Sequence, residues 1–375
     1  MNVFLLLMQM LFANIRIRDI FVVLLLLYMI CGNHKDSNNK SKQSTENNYN
    51  STRTQEHSTK DKYIKPNITI DDYKKISDKV KVDFIGQDRQ IEYLTKIIVA
   101  HYLSCIQGAN STPLVILVVG PSGCGKTSII TKIAEQLNIT KYVCSATSLT
   151  VAPFIGLKVE DICDRIIDEA GAAGKDPAYS LLLVDELDKI CVERLINSDK
   201  EMQAQESFLT LLNGSIDYRT SNGRQYDTSK MVVIFTGAFT NKIRDRINED
   251  NYQEELSTYH ISNQLLNRVN YICKLEDVKS MDDNTLECGI KNAIDNIVCS
   301  LVNDGYNITN TISDKDYKEI INIIRGKKDN SPAFRKYISL INNIKKDILF
   351  CDKNDALVLK FCDNKLKIHN MVLGH

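Results

Sequence analysis

Apolar and polar positions divide the chain into three parts. Residues 1–31 contain two apolar runs, which are separated by a short segment with two arginines and an aspartate. Residues 32–67 are rich in Asn, Ser, Lys, Thr and Gln, so burial there cannot offset the entropy of ordering the backbone. From residue 68 onward, apolar side chains recur at helix and strand spacings. The pattern predicts a hydrophobic segment over 1–31, a disordered linker over 32–67 and a globular part after it.

The hydrophobic segment has the features of a targeting signal. Each apolar run is shorter than the roughly 20 residues that a transmembrane helix requires, and one helix over both would bury Arg16, Arg18 and Asp19. The second run follows the arginines, as the hydrophobic region of a targeting peptide does. We therefore expect an intracellular protein addressed to an organelle such as a mitochondrion or plastid. A membrane anchor and a misassigned start, with Met8 or Met10 as the true one, are the alternatives.

The first half of the globular part alternates between strand and helix patterns. Residues 114–119 are apolar and mostly β-branched, and residues 128–137 have helix spacing. Two further apolar runs, 181–184 and 231–235, have the length and composition of buried strands. Strands that alternate with helices favour a parallel sheet covered on both faces. The fold class predicted for residues 68–275 is therefore α/β.

The second half has a different pattern. After residue 276 the apolar spacing is mainly helical, and the chain closes with two alternating runs at 357–361 and 365–372. These runs flank an Asp-Asn pair, which is typical of a hairpin. We predict a small, mostly helical C-terminal domain over 276–375 that ends in this hairpin.

Charge and cysteine content exclude some functions. The 375 residues contain 47 Lys and Arg and 47 Asp and Glu, so no net positive field attracts the chain to nucleic acid, and no nucleic-acid partner is expected. The 11 cysteines include no CxxC pair, which argues against a zinc site or a disulfide framework. Free thiols in a reducing compartment are the simpler interpretation.

The strongest chemical signal follows the first strand. Residues 120–127 fit the phosphate-binding pattern GxxxxGK[ST] between a strand and a helix. Glycines allow the backbone N–H groups to point inward, and the helix N-terminus favours an anion. A lysine here reaches the β- and γ-phosphates and a threonine ligates Mg²⁺. The alternative is a glycine turn that binds nothing. The predicted nucleotide-binding residues are Gly120, Pro121, Ser122, Gly123, Cys124, Gly125, Lys126 and Thr127, with Thr127 also a metal ligand.

Polar residues end the other two strands. Asp185 and Glu186 follow the run 181–184; beside a triphosphate, one carboxylate can hold Mg²⁺ and its neighbour can polarise the attacking water. We assign Asp185 to the nucleotide-bound metal and Glu186 to the catalytic base. Thr236 follows the run 231–235 and is a candidate for orienting that water. From the residues alone, a threonine that merely ends a strand is an equal interpretation.

In this order the motifs resemble those of the AAA+ ATPases over about residues 70–375, most closely the ClpX-type protein unfoldases, with the HslU type second. Phe-Ile-Gly-Gln-Asp at 84–88 resembles the adenine-side motif, Leu-Val-Asp-Glu-Leu-Asp-Lys-Ile at 183–190 the extended acidic motif, and 227–239 the segment carrying sensor 1. The resemblance implies an AAA+ P-loop core that binds ATP and Mg²⁺, with Ile85 in contact with the adenine base.

Residues 146–156 lie where this family has its pore loop. The resemblance implies that Phe154 and Ile155 contact substrate polypeptide there; an aromatic on a mobile loop can grip any chain by apolar contact. Pro153 stands in place of the usual glycine and should stiffen the loop. Taken without the resemblance, Phe154 would be assigned to the core.

Two arginines complete the resemblance. Arg268 ends a segment like the one that carries the arginine finger, although Asn267 replaces a glycine. An arginine that reaches the γ-phosphate of a neighbouring subunit ties hydrolysis to assembly, so the resemblance implies a ring, as a homohexamer. Arg335, in Pro-Ala-Phe-Arg, loosely matches sensor 2, which implies a clamp from the small domain onto the phosphates. The alternative for both is a solvated surface arginine.

Several features of these families are absent from the sequence. Cys31 is the only cysteine before Cys105, so we expect no four-cysteine zinc domain like that of ClpX chains. Residues 241–260 contain no glycine and no Ile/Leu-Gly-Phe docking tripeptide for a ClpP-type peptidase. Residues 150–181 leave no room for the inserted domain of HslU. We expect an ATP-driven unfoldase that moves unfolded or tagged proteins through a ring. The alternatives are a remodelling chaperone without a peptidase and a degenerate ATPase scaffold; a helicase or loader is disfavoured by the neutral charge.

Overall fold

The computed structural model describes residues 63–109, 111–149, 157–191, 198–259, 261–326 and 333–371. The predicted hydrophobic segment, nearly all of the predicted linker, and Phe154 and Ile155 lie outside these ranges. Within them, every helix is too short or too polar to cross a bilayer.

A parallel sheet forms the centre of the α/β part, as predicted. The elements in chain order are α1 (Asp72–Lys81), α2 (Asp88–Ile106), β1 (Leu114–Val119), α3 (Lys126–Gln136), β2 (Thr140–Ser145), α4 (Val159–Ala172), β3 (Ser180–Asp185), α5 (Ser198–Leu212), β4 (Tyr218–Arg219), β5 (Gln225–Tyr226), β6 (Val232–Gly237), α6 (Asn241–Arg246), α7 (Tyr252–Ser257), α8 (Asn263–Leu266) and β7 (Tyr271–Lys274). Five strands pair in the order β2-β3-β6-β1-β7, all parallel. The α/β fold class is therefore confirmed.

Burial explains why the central strands are apolar at every position. All six residues of β1 and of β6 are buried, because helices cover both faces of the sheet. Alternate side chains of β1 enter two different cores: Ile116 and Val118 pack on one face, and Val115 and Leu117 on the other. The strands are thus fixed from both sides, and so are the positions of the residues that follow them.

The C-terminal part contains helices and a second, smaller sheet. Its elements are α9 (Asp283–Asn303), β8 (Asn307–Asn310), α10 (Asp314–Arg325), α11 (Ala333–Ile348), β9 (Ala356–Cys362) and β10 (Lys365–Asn370). β9 and β10 pair antiparallel around Asp363 and Asn364, both in the left-handed region at φ 52° and 59°, which suits a tight hairpin turn. β8 pairs in parallel with β9. This third strand was not predicted.

The two parts share one core. The hydrophobic cluster that contains Ile116 and Val118 of β1 extends through α9 and α11 to Leu359 of β9. All described residues also belong to one compact unit. The boundary predicted at residue 275 therefore marks a change of architecture within that unit.

The predicted linker over 32–67 extends too far along the chain. The backbone N–H of Ile64 donates to the Gly174 carbonyl at 2.9 Å, and the Ile64 carbonyl accepts from Asp176 N–H at 3.0 Å. The end of the predicted linker is thus attached to the loop between α4 and β3. Hydrophobic patterning missed this contact because the main chain makes it, while the Ile64 side chain is 75% exposed.

Candidate nucleotide-binding site

The loop between β1 and α3 has the backbone geometry that its glycines allow. Gly123 and Gly125 lie in the left-handed region at φ 73° and 99°, which side chains with a Cβ rarely adopt. At Gly120 a Cβ would lie 2.8 Å from the Cys124 Sγ. The loop is therefore built for close backbone approach, and it delivers the chain to the N-terminus of α3 at Lys126, where free N–H groups favour an anion.

The loop side chains divide into inward and outward ones. Cys124 is buried, and burial raises the pKa of its thiol, so it presents only its backbone to a ligand. Ser122 is exposed. The Lys126 ammonium group donates to the carbonyls of Gly120 at 2.8 Å and Pro121 at 2.9 Å. Burial lowers the pKa of Lys126, because the charged form loses hydration there.

Three elements bring oxygen ligands together at the carboxyl edge of the sheet. Thr127, in the first turn of α3, donates its hydroxyl to Asp185 Oδ2 at 2.5 Å. Thr236, near the end of β6, donates its hydroxyl to Asp185 Oδ1. The carboxylate at the end of β3 is thus held between two hydroxyls. A hydroxyl and a carboxylate in contact, beside a phosphate loop, fit a Mg²⁺ ion, which prefers such hard oxygen donors.

Glu186 has an unusual backbone and an exposed side chain. Its φ and ψ are 61° and 39°, in the left-handed region that costs a residue with a Cβ roughly 1 kcal/mol or more. Its N–H donates to Asp185 Oδ1 at 2.8 Å. Its carboxylate accepts from the Ser145 hydroxyl at 3.3 Å. Sequence analysis missed Ser145, which lies opposite Asp185 at the end of β2; its only sequence signal is a polar residue at the end of a strand.

The motif resembling the adenine side connects the two parts of the protein. Ile85 is buried, and the Gln87 side chain pairs with the backbone of Glu276, donating to its carbonyl at 3.0 Å and accepting from its N–H at 3.1 Å. The Met281 thioether covers Gly86 so closely that an added Cβ would lie 2.3 Å from it. Gly86 is also left-handed at φ 71°. Met281 is a contact that sequence analysis did not identify.

A cleft of about 360 Å³ lies between the α/β part and the helical part. It reaches the first turn of α3 and is walled by α9 and α11, and its lining includes Phe84, Thr127, Ser128, Ile297, Ile338 and Asn342. A cavity of this size, mostly apolar with a few polar groups, is typical of a small-molecule site. Because it includes the predicted metal ligand Thr127, it borders the phosphate loop.

Arg335 lies in the first turn of α11. Three and seven residues later, Ile338 and Asn342 line the cleft, and positions at this spacing share a helix face. Arg335 is exposed, and within the described ranges it has no ion pair. The structure thus places it on the face of α11 that borders the cleft, without a contact to the phosphate loop.

Arg268 lies just beyond α8, and its N–H donates to the Leu265 carbonyl at 3.0 Å. Its side chain is exposed. Among the residues that the structure describes, none accepts a hydrogen bond or an ion pair from its guanidinium. Arg268 is therefore not joined to Lys126, Asp185 or Glu186 of its own chain, in contrast to Thr127 and Thr236.

The predicted substrate-contacting residues Phe154 and Ile155 lie outside the described residues. The residues on either side of that segment are adjacent in space: Leu149 and Leu157 form a parallel bridge, and Leu157 N–H donates to the Ser148 carbonyl at 3.2 Å. Residues 149 and 157 are therefore held side by side just beyond the end of β2.

Comparison with known proteins finds similarities that extend across this site. The family described as "ATPase family associated with various cellular activities (AAA)" matches residues 116–257, which include the phosphate loop, Asp185, Glu186 and Thr236. The ATP-dependent Clp protease ATP-binding subunit ClpX of Porphyromonas gingivalis is 31% identical, with 52% of this chain and 53% of that protein covered.

Proteins of the same description from other bacteria are also similar. That of Borrelia duttonii is 28% identical, over 44% of this chain and 43% of the other; that of Azotobacter vinelandii is 26% identical, over 44% and 40%. The chain thus spans about half the length of these relatives. The ordered motifs, the parallel sheet and these similarities together support an ATPase that is similar to the AAA family over residues 116–257 and to ClpX over about half the length of ClpX.

Proposed function

We propose that this chain hydrolyses ATP and uses the energy to unfold polypeptides and move them through a ring of several copies. The observation that carries the proposal is the meeting of Thr127 and Thr236 on Asp185, with Glu186 next in the chain and the phosphate loop beside them. In one place these residues supply phosphate binding, metal ligation and a carboxylate near the attacking water. The kinship with ClpX supports the use of ATP.

The loop residues bind the triphosphate in this mechanism. Backbone N–H groups of the loop and of the α3 N-terminus face the phosphate oxygens. Lys126 releases the carbonyls of Gly120 and Pro121, and its ammonium turns to the β- and γ-phosphates. Thr127 and Asp185 would hold Mg²⁺, which supplies positive charge against the phosphate oxygens.

Glu186 acts as the base in this mechanism. Its side chain is exposed at the edge of the sheet, and its carboxylate can take a proton from water that attacks the γ-phosphate. Ser145 holds that carboxylate before the reaction, and Thr236 orients the water or the terminal phosphate. Ile85, together with Met281, which covers Gly86, forms the wall against which the adenine ring lies.

Arg268 and Arg335 act from outside the loop. We propose that Arg268 acts as an arginine finger, which reaches the phosphates bound by a neighbouring copy. We also propose that Arg335 moves onto the phosphates bound by its own chain from the helical part. Their exposure and lack of ion pairs within the described ranges support this assignment. A homohexamer is the assembly that the family suggests.

The substrate side of the proposal rests on the segment containing Phe154 and Ile155. A loop that leaves and returns at Leu149 and Leu157 can project into a central channel and hold unfolded chains by apolar contact.

We propose that the protein is located in an organelle and is directed there by residues 1–31, with a membrane anchor as the alternative.

A remodelling chaperone that works without a peptidase is a second candidate. The stretch at which ClpX-type chains dock a ClpP-type peptidase corresponds here to residues 241–260, which contain no glycine and fold in part as α6 and α7. A peptidase that co-purifies with the tagged chain would support degradation. Unfolding of a model substrate without such a partner would support remodelling.

The replacement Glu186→Gln tests the hydrolysis step. We expect the variant to bind ATP with unchanged affinity, because loop and metal ligands are intact, and to lose about 10³-fold in kcat, since a general base contributes about 10²–10⁴. Steady-state turnover and equilibrium binding of a fluorescent ATP analogue measure the two quantities. Glu169→Gln, at an exposed glutamate of α4, is the matched control. Normal turnover in Glu186→Gln would contradict the assignment of the base.

A further inference from the structure

We propose that Asp188 and Arg244 are positioning residues that hold the turn after Thr236 and thereby keep its hydroxyl on Asp185. The inference rests on the proposed ATP hydrolysis and adds two residues to that site. Asp188 lies in the short helical turn Leu187–Ile190, directly after Glu186, and Arg244 lies in α6. Neither residue was assigned to the site from the sequence.

The turn that they hold is strained. Phe239 adopts φ 41°, a value that disfavours any residue with a Cβ. Its ring is buried and folds back over Gly237, where an added Cβ would lie 2.4 Å from a ring carbon. The ring also packs edge-on against Tyr259, with centroids 5.5 Å apart. A conformation of this kind persists only where the surroundings fix it.

Asp188 fixes the turn from the acidic motif. Its carboxylate is buried and accepts a hydrogen bond from the Ala238 N–H at 2.9 Å. The Lys189 ammonium lies 3.9 Å from that carboxylate, at the outer limit of an ion pair. Because Asp188 follows Asp185 by three residues, this bond ties the end of β6 to the segment carrying the predicted metal ligand and base.

Arg244 fixes the same turn from the opposite side. One guanidinium nitrogen donates to the carbonyls of Ala238 and Phe239, each at 2.6 Å, and another donates to the Asn241 side chain. Ala238 is therefore held at its N–H by a carboxylate and at its carbonyl by a guanidinium. Hydrogen bonds to charged groups are shorter and stronger than neutral ones, so both ends of the strained turn are pinned.

The consequence for the site follows from distance along the chain. Ala238 lies only two residues after Thr236, so a change in the turn acts on the end of β6 that carries Thr236. If the hydrogen bonds from either Asp188 or Arg244 are lost, the Phe239 backbone can relax and Thr236 shifts away from Asp185. A displacement of about 1 Å at a reacting group can cost roughly 10²-fold in rate. We therefore expect the pair to affect turnover and leave nucleotide binding unchanged.

The full chain with Arg244→Lys provides the test. Lysine keeps the charge but lacks the planar guanidinium, whose two nitrogens serve both carbonyls and the Asn241 side chain. We expect kcat for ATP to fall about 10- to 100-fold, while the affinity for a fluorescent ATP analogue changes less than about threefold. Arg246→Lys, in the same helix at an arginine paired with Glu255 at 3.0 Å, should leave both unchanged.

Three further measurements separate positioning from a general loss of structure. Asp188→Asn keeps the size and the acceptor oxygen, and should lower kcat less than Arg244→Lys does. Combined with Thr236→Val, Arg244→Lys should cause no additional loss, because its effect acts through Thr236. Amide hydrogen exchange over residues 236–239 should accelerate in Arg244→Lys, a readout that needs no turnover.

The outcomes distinguish this inference from the proposed function. If the unaltered chain hydrolyses ATP and Arg244→Lys keeps its kcat, or if its loss multiplies with that of Thr236→Val, the positioning role is wrong. Exchange over residues 236–239 that stays slow in the variant would also overturn it. If the unaltered chain hydrolyses no ATP, the proposed function fails and the inference fails with it.

Discussion

The predicted site residues fall into two groups that the structure treats differently. Thr127 and Thr236 each donate a hydrogen bond to Asp185 within the chain. Arg268 and Arg335 are exposed, and the described part of the chain gives their side chains no ion pair. The first group forms a preorganised centre. The second group needs a ligand, a domain movement or another copy of the chain to take part in the chemistry.

The elements that carry the two groups explain the difference. Asp185 ends β3, and Thr236 is the last but one residue of the neighbouring strand β6, in a sheet buried on both faces. Thr127 lies in the first turn of the helix that follows the adjacent strand β1. Packing on both sides of the sheet leaves these positions little freedom. Arg268 instead follows the four-residue helix α8, and Arg335 lies in the first turn of α11 at the surface. Long exposed side chains there retain their rotamer entropy until a partner binds.

The largest expected effect comes from removing Arg268, a member of the second group. Arg268→Ala should lower kcat for ATP by about 10³-fold, since an arginine that stabilises charge in phosphoryl transfer contributes about 10³–10⁵. ATP binding should be retained, because the loop is unaltered. Mixing Arg268→Ala with Lys126→Ala should restore part of the turnover, as one chain supplies the arginine and the other the intact loop. Turnover against mixing ratio and protein concentration measures this.

A different result is expected if Arg268 acts on the nucleotide bound by its own chain. Mixtures would then stay inactive at every ratio, and turnover per chain would not depend on protein concentration. Arg89→Ala, at an exposed arginine of α2, is the control and should leave turnover and mixing behaviour unchanged.

A smaller effect tests the first group. Thr236→Val removes the hydroxyl and keeps the shape of the side chain at a position with 0% exposure. We expect kcat to fall about 10- to 100-fold, in the range of a group that orients a reacting water, and Thr236→Ser to restore most of it. A threonine that merely ends β6 would give another result: the melting temperature would fall and kcat would not change.

Sequence analysis predicted the preorganised group because its members follow strands that hydrophobic patterning identifies. The run 114–119 and the runs ending before Asp185 and Thr236 define where three strands end, and parallel strands bring those ends to one edge. The loop motif supplies its own chemistry. The arginines came only from family resemblance, since nothing in local patterning distinguishes them from surface arginines.

Residues that depend on contacts distant in sequence were missed. Ser145 donates to Glu186 across two paired strands. Met281 covers Gly86 from nearly 200 positions away. Arg244 donates to the main-chain carbonyl of Ala238. None of these contacts has a periodic signal. The parallel strand β8 was missed for a similar reason, because its partner β9 lies beyond two helices.

The smallest expected effect is a pH dependence at Lys126. Burial lowers the pKa of this ammonium below its usual 10.5, and bound phosphates should raise it again by restoring a charged partner. Between the lowered pKa and 10.5 the free folded chain is partly deprotonated, so ATP binding takes up a proton and affinity falls as pH rises, by at most about tenfold per pH unit. The unfolded chain binds more protons than the folded one in that window, so the free energy of unfolding rises with pH.

Calorimetry of ATP binding in buffers with different ionisation enthalpies measures the proton uptake directly. We expect uptake in the alkaline window and none near neutral pH, where Lys126 is charged in both states. Adenosine lacks phosphates and should bind without uptake at any pH. Equal uptake with adenosine would assign the proton to another group, and no uptake with ATP would show that Lys126 stays on the carbonyls of Gly120 and Pro121 and does not move to the phosphates.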